Sequence, residues 1–266
     1  MDTLIKYLAY FFIYSFLGWI CETIYCSIGE KKFVNRGFLN GPICPIYGVG
    51  ALIVTKVLGP FKDNALLVFL FGMLLTSLLE YVTSVILEVL FHTKWWDYSE
   101  RKFNIHGRVC LLNSTLFGIM CLVVIELINP IIVSLVLDFP KVILTIIVSI
   151  ISIIFILDLS VTVFALLKIN GKLQQITHFI NELKAIGEEP QRFNEEELRK
   201  LFNKLRKEEK FCSNEKIDKL VENLRNIKNK STLQRRLFKA FPGATHKKYS
   251  EQFKKLKQLL KEKSNK

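Results

Sequence analysis

Apolar residues run along this chain in long stretches separated by short polar ones, and then give way to a helical rhythm of mixed polarity. Five stretches approach or exceed the ~20 residues that cross a hydrocarbon core. They cover residues 4–28, 43–60, 65–91, 109–128 and 141–167. A sixth, from Ile131 to Leu137, is too short to cross and lies between Pro130 and Pro140, so it reads as an interfacial or re-entrant piece. The first stretch lacks a basic leader and a small-residue cleavage site and carries Trp19 and Glu22, so it is expected to stay as a span. The pattern predicts an all-α fold: a polytopic membrane helical bundle of about five transmembrane helices over 1–167, then a basic helical region over 168–266.

Beyond the fifth span the apolar spacing is that of surface helices. From about Asn170 the pattern prolongs the span itself. Leu198, Phe202 and Leu205 mark a helix over 195–211, which Asn194 and Glu197 open as a capping box. Ile217, Leu220, Leu224 and Ile227 mark another over 215–227. Pro242-Gly243 divides the last basic stretch into two short amphipathic helices.

Charge sharpens the division. Up to Leu167 there are 11 Lys/Arg and 11 Asp/Glu; from Lys168 onward there are 26 and 13, so the whole net charge of +13 lies in the C-terminal region. Short loops carry the orientation signal. Lys31, Lys32 and Arg36 lie in the first loop and Lys94, Arg101, Lys102 and Arg108 in the third, against Lys62, Lys141 and the N-terminal Lys6 on the other side. This bias places the N-terminus outside and the basic tail in the cytosol.

The least regular stretch is Asn35-Arg36-Gly37-Phe38-Leu39-Asn40-Gly41-Pro42-Ile43-Cys44-Pro45-Ile46-Tyr47-Gly48. Proline removes a backbone donor and glycine favours unusual dihedrals, so this run is not plain helix. Irregular backbone at the mouth of a span survives only where protein or a wet cavity supplies its hydrogen bonds. Gly37, Gly41, Pro42, Pro45 and Gly48 therefore shape a loop. Lys32-Phe33, Gly37 and Gly48 recur 70 residues on as Lys102-Phe103, Gly107 and Gly118, which makes the loop around Gly107 a companion facing the same compartment. Chance and an internal repeat both account for the echo.

Ionisable groups within spans cost about 2.5–3.5 kcal/mol at the centre and mark functional positions. Glu22, Glu80, Glu88 and Asp158 qualify, while Glu126 lies toward an outer end. With Asn35, Arg36, Asp97, Asn104 and Arg108 from the loops they form the candidate substrate path; the rival reading is a set of interhelical bonds that fix packing. Trp95-Trp96-Asp97-Tyr98-Ser99 reads equally as a polar recognition loop and as an aromatic belt at the headgroups. Ser15, Ser77 and Ser84 are expected to bond their own helix carbonyls. The six cysteines, Cys21, Cys26, Cys44, Cys110, Cys121 and Cys212, show no CxxC spacing and read as small hydrophobes. Four scattered histidines give no metal signature, no cofactor is implied, and no GxxxxGK[ST], GxSxG or HExxH run occurs.

Two segments carry a resemblance. Tyr14-Ser15-Phe16-Leu17-Gly18-Trp19-Ile20-x-Glu22 and the run from Asn35 to Gly48, with Trp96-Asp97-Tyr98-Ser99 and Asn104-x-x-Gly107-Arg108-Val109-Cys110-Leu111 further on, resemble the type IV ABC-transporter family of CmpB-like membrane proteins. Arg236-Leu237-x-x-Ala240-Phe241-Pro242 and Lys248-Tyr249 in the tail are similar too. The resemblance implies a permease whose ATPase is a separate subunit, and implies neither a substrate nor a catalytic residue set.

Three functions follow as expectations: a permease-like transport component, an enzyme acting on a lipid or polyprenyl headgroup in the membrane, or a scaffold that recruits partners through its tail. The lipid bilayer is the expected partner, with anionic lipids at the tail worth about 1 kcal/mol per basic residue near the surface. Oligomerisation is left open. No nucleic-acid partner is expected, because Phe238, Phe241, Tyr249 and Phe253 read as helix-face anchors rather than a stacking platform.

Overall fold

A computed structural model describes residues 3–185 and 232–261, together with 200, 201, 203 and 222. Those four residues apart, the helices expected over 195–211 and 215–227 lie outside the described residues, as does Cys212. The chain forms α1 (Thr3–Glu30), α2 (Pro45–Leu58), α3 (Ala65–Phe91), α4 (Leu111–Val123), α5 (Asn129–Asp138), α6 (Lys141–Ala185), α7 (Thr232–Ala240) and α8 (Ser250–Lys261). These divide into two compact units: Met1–Leu90 with Lys94–Thr162, and Phe91–Thr93 with Val163–Lys266.

In the first unit α3 shows why the bundle forms. Leu66, Leu70, Leu74, Leu78, Val82, Ile86 and Leu90 recur every fourth residue and are all exposed, a stripe suited to lipid. Two residues out of step, and so on the opposite face, Val68, Gly72, Glu80 and Ser84 are buried. Lipid contact gives helices no hydrophobic reason to associate, so small residues and interhelical hydrogen bonds hold them. Ser77 donates to Ser114 of α4 at 2.6 Å, and Tyr14 of α1 donates to Asn129 of α5 at 2.8 Å. Apolar packing completes two clusters, one of Phe12, Tyr14, Ile132, Val136, Leu144 and Val148 and one of Val54, Leu58, Val68, Cys121 and Ile125.

Two glycines of the sequence echo serve close approach. A Cβ on Gly48 would meet the Ser15 hydroxyl and lie 2.6 Å from the Phe11 carbonyl oxygen of α1. A Cβ on Gly118 would lie 3.0 Å from the Phe69 carbonyl oxygen of α3. Each span after a polar loop thus presses a glycine against the backbone of the helix before that loop.

Among the described residues, four helical stretches are long and apolar enough to cross a membrane: Thr3–Ile28, Ala65–Phe91, Leu111–Asp138 and Lys141–Asn181. The expected second span is shorter. Gly59-Pro60 turns it into a single 3-10 turn after the 14 residues of α2, and the apolar helix Pro45–Phe61 lies at the lower limit of a crossing. One expectation is corrected in part: Ile131 to Leu137 is not a separate re-entrant piece but continues the helical run Leu111–Asp138. A π-helical stretch, Val124–Ile128, leads into α5, and Pro130 falls in the first turn of α5. There its missing N–H costs no bond, so the helix passes through.

α6 continues well past the predicted end of the fifth span, to Ala185. At about 1.5 Å per residue its 45 residues extend roughly 67 Å, about twice a hydrocarbon core. In the second unit the amphipathic faces of α7 and α8 are covered. Leu237, Phe238, Phe241, Phe253 and Leu256 are buried, as are Leu166, Ile169, Leu173, Ile176 and Phe179 of α6. Gln234 donates to the Ala165 carbonyl at 2.6 Å and accepts from Lys172 at 2.5 Å. His246 is buried as a neutral ring: Nδ1 accepts from the Tyr249 N–H at 3.0 Å, so Nε2 carries the proton toward Asn170 Oδ1 at 2.9 Å. The His92 carbonyl accepts from the Lys247 N–H at 2.9 Å.

Gly48→Ala is expected to destabilise the protein by about 1–3 kcal/mol through overpacking. Gly171→Ala, where a Cβ meets nothing within 4 Å, stabilises it by about 0.5–1 kcal/mol. Thermal melting in one detergent measures both. Burial first, and His92 second, hold the His246 pKa below the usual histidine value. Between the folded and unfolded pKa values the unfolded chain binds the extra proton, so this stability is present above about pH 6.5 and is lost as pH falls. The melting temperature should drop on acidification through that window, and His246→Gln should remove this part of the drop.

Candidate functional site

The first polar loop is held by side chains from helices. Asn35 Oδ1 accepts from Trp19 Nε1 at 2.8 Å and from the Gly37 N–H at 3.1 Å. Asp158 of α6 accepts three bonds from the loop, from the Asn40 N–H at 3.1 Å, the Asn40 carboxamide at 2.8 Å and the Gly41 N–H at 2.8 Å, and a fourth from Thr162 of its own helix at 3.3 Å. The Ser15 carbonyl accepts from the Cys44 N–H at 3.0 Å, and Pro45 then opens α2 in a position that needs no donor. Pro42 is exposed beside this junction.

The second loop is a hairpin. Asn104–Ile105 and Val109–Cys110 pair antiparallel, with Asn104 opposite Cys110 and Ile105 opposite Val109. His106 and Gly107 both have positive φ, 53° and 66°, the combination that a tight hairpin turn requires. A Cβ on Gly107 would also meet the Ser99 hydroxyl, the Asp97 carboxylate and the Lys94 ammonium, so the position excludes other residues twice over. Asn104 donates to the Ser99 and Arg101 carbonyls and accepts from the Gly107 N–H. Asp97 accepts from the Ser99 hydroxyl and N–H and from Lys94. Burial opposes those bonds, but they prevail and hold the Asp97 carboxyl below its ordinary range. Asp97 and Asn104 thus act on their own loop.

Each loop returns an arginine to a glutamate on the helix before it. Arg36 Nε lies 3.3 Å from Glu22 of α1, and Arg108 lies 2.6 Å from Glu88 of α3 while also donating to Ser84 at 2.9 Å. Glu22 accepts in addition from the Tyr47 hydroxyl of α2 at 2.5 Å. Glu80 is different. It is 7% exposed, two turns of α3 from Glu88, and its Oε1 accepts only from the Tyr98 hydroxyl at 3.3 Å. Its Oε2 is buried without a hydrogen-bond partner, and among the described residues no Lys or Arg makes an ion pair with it. Burial, then the charges of Glu80 and Glu22, push the Tyr98 phenol well above its ordinary value, which places both carboxylates around it. Tyr47 likewise lies within electrostatic reach of Glu22 and Glu80.

The arrangement is therefore a polar centre of Glu22, Tyr47, Glu80 and Tyr98, flanked by two closed ion pairs. Of the residues named from sequence, Glu22 and Glu80 meet there. Arg36, Arg108 and Glu88 border it, while Asn35, Asp97, Asn104 and Asp158 hold loops. Tyr47 and Tyr98 were not among the candidates, although both stood inside the two irregular runs. All three serines depart from the expectation that they bond their own helices: Ser77 donates to Ser114, Ser84 accepts from Arg108, and Ser15 Oγ is buried with no hydrogen-bond partner among the described residues. Trp95 is no belt residue: it is 2% exposed and packs edge-on against Phe38 with ring centroids 5.6 Å apart. Trp96 donates to the Arg108 carbonyl at 2.9 Å. Glu126 is exposed on the π-helical stretch. Among the described residues no group of three or more His, Cys, Asp or Glu side chains could hold a metal ion.

Lipid-suited stripes, crossing helices and a buried polar centre define an all-α polytopic membrane protein. The family model described as "Putative ABC-transporter type IV" matches residues 9–163, and the chain belongs to that family. The match ends where the first unit ends, so the tail motifs lie outside it. No curated protein and no solved structure matches the chain.

A double-mutant cycle on Arg108→Ala and Glu88→Ala is expected to return a coupling of about 0.5–3 kcal/mol, because both side chains are mostly buried, 15% and 18% exposed. Chemical denaturation in detergent provides the measurement.

Proposed function

We propose that the chain is the permease-like, membrane-embedded component of a transporter, and that the centre of Glu22, Tyr47, Glu80 and Tyr98 lies on its substrate path. The observation that carries the reading is Glu80: a carboxylate on the inner stripe of a crossing helix, buried, with one oxygen unpartnered. A residue that served packing alone would have its bonds completed, as Glu88 and Asp158 do. Intramembrane carboxylates left open are the usual elements of ion and substrate paths. The loop charges support a cytosolic position for both polar loops and the tail, with the N-terminus outside. The chain has no phosphate-binding loop, so a transport cycle driven by ATP takes its ATPase from a separate subunit. The tail's exposed Lys239, Lys247, Lys248 and Lys254 suit anionic headgroups.

The lipid-enzyme reading is weaker, since Arg36 and Arg108, its phosphate clamps, each already meet a carboxylate. Recruitment of a partner by the amphipathic faces of α7 and α8 is weaker too, since those faces are buried in the second unit.

Small-molecule profiling of cells that lack the gene and are complemented with variants tests the path. Glu80→Gln and Arg36→Ala should reproduce the gene-less profile while accumulating in the membrane, and Gly171→Ala should restore the wild-type one. A wild-type profile from Glu80→Gln would remove the centre from the path.

A further inference from the structure

The charges around the centre do not balance. Glu22 is met by Arg36 and Glu88 by Arg108, which leaves Glu80 as the carboxylate there that no cation meets among the described residues. The groups that face it carry no compensation: Glu22 from α1, Tyr47 from α2 and Tyr98 from the second loop are acids or neutral phenols, and on its own helix Ser84 and Glu88 are engaged by Arg108. Cys44 and Cys110, each buried just before a span, add a thiol on either side. An ionised carboxylate held in that setting is shielded from bulk solvent and meets no counter-charge among the described residues.

The hydrogen-bond geometry shows where compensation fits. Tyr98 donates to Oε1, so Oε1 serves as an acceptor whether or not the carboxyl is charged. Oε2 is the open position, buried and aimed at no donor. A metal ion would need further ligands, and among the described residues no cluster supplies them. A proton needs none.

We propose that Glu80 is a reversible proton-binding site: the proton resides on Oε2, and its release leaves the carboxylate and a hydrated proton with no other bond made or broken. This deepens the transport reading and rests on its placing Glu80 at the centre; the ligand it names is a proton exchanged between the centre and water. In the protonated state the centre holds the single charge of Glu22, balanced by Arg36. Deprotonation sets two carboxylates around Tyr98, a state that favours entry of water or of a cationic group. Opening of the centre and loss of the proton are thereby coupled.

Infrared difference spectroscopy on the full chain in lipid nanodiscs reads the site without any substrate. With glutamate side chains isotopically labelled, the carbonyl band of a protonated glutamic acid should appear and be lost reversibly as the pH is raised. Glu80→Gln should remove that band, whereas Glu22→Gln should leave it in place with a changed midpoint. In case Glu80→Gln folds poorly, Glu80→Asp should transfer the band from the glutamate-labelled to the aspartate-labelled sample. Absence of any titrating glutamic acid band in the wild type, or its persistence in a folded Glu80→Gln or Glu80→Asp variant, overturns the proposal. The two readings fail separately. A missing band with a gene-less profile for Glu80→Gln removes the proton and keeps the path, and a titrating band with a wild-type profile does the reverse.

Discussion

Carboxylates on crossing helices hold two irregular loops in place, and the rest of the first unit depends on that arrangement. Backbone that is neither helix nor closed sheet must find its hydrogen bonds inside the protein when it lies at the mouth of a membrane span. Asp158 supplies three such bonds to Asn40 and Gly41. Glu22 and Glu88 draw in the loop arginines, and with them the loop ends that start α2 and α4. The candidate substrate path read from sequence is therefore, over much of its length, the scaffold that positions a smaller centre. Glu80, on the same stripe of α3 as Ser84 and Glu88, meets no loop arginine among the described residues and touches the second loop through Tyr98.

The sequence made the membrane architecture legible because lipid imposes a simple demand: long apolar segments with internally bonded backbones. α1, α3 and the first part of α6 fall where the apolar runs put them. Two boundaries were illegible for local reasons. Pro130 looked like a break, yet a π-helical stretch ahead of it places it in a first turn, where proline is harmless. Gly59-Pro60 looked like the end of a full span, yet it closes a helix of 14 residues. The charged positions were legible as a set, since ionisable residues in apolar runs stand out. Their pairing was not, because which glutamate meets which arginine depends on loop paths set by Asn35 and Asn104 turning back on their own backbones. Tyr47 and Tyr98 carried no signal of their own; a tyrosine near a span end reads first as a belt residue.

The tail illustrates a different limit. Its amphipathic pattern is strong enough to predict helices at α7 and α8, and both form. Periodicity shows that an apolar face exists and not what covers it. Here Gln234 and His246 bond to Ala165, Lys172 and Asn170 of the prolonged α6, and Phe238, Phe241 and Phe253 are buried within the second unit. The buried His246 fits that role: its two ring nitrogens are both satisfied, by Tyr249 and Asn170, so it serves the fold as a neutral ring.

The echo between the two loops now has physical content. In each half a helix carries a glutamate, a loop returns an arginine to it, and the next helix presses a glycine against a carbonyl of the first, at Phe11 in one case and Phe69 in the other. The halves differ in how the loop is closed. The first borrows Asp158 from α6, whereas the second closes on itself as a hairpin around Gly107. The aromatic segment ahead of that hairpin folds inward: Tyr98 donates to Glu80, and Trp95 packs on Phe38 of the other loop. The first half has no counterpart to Glu80: of the two glutamates of α1, Glu22 is met by Arg36 and Glu30 is the last residue of the helix. The two halves thus differ at one residue of α3, Glu80, which no arginine meets among the described residues.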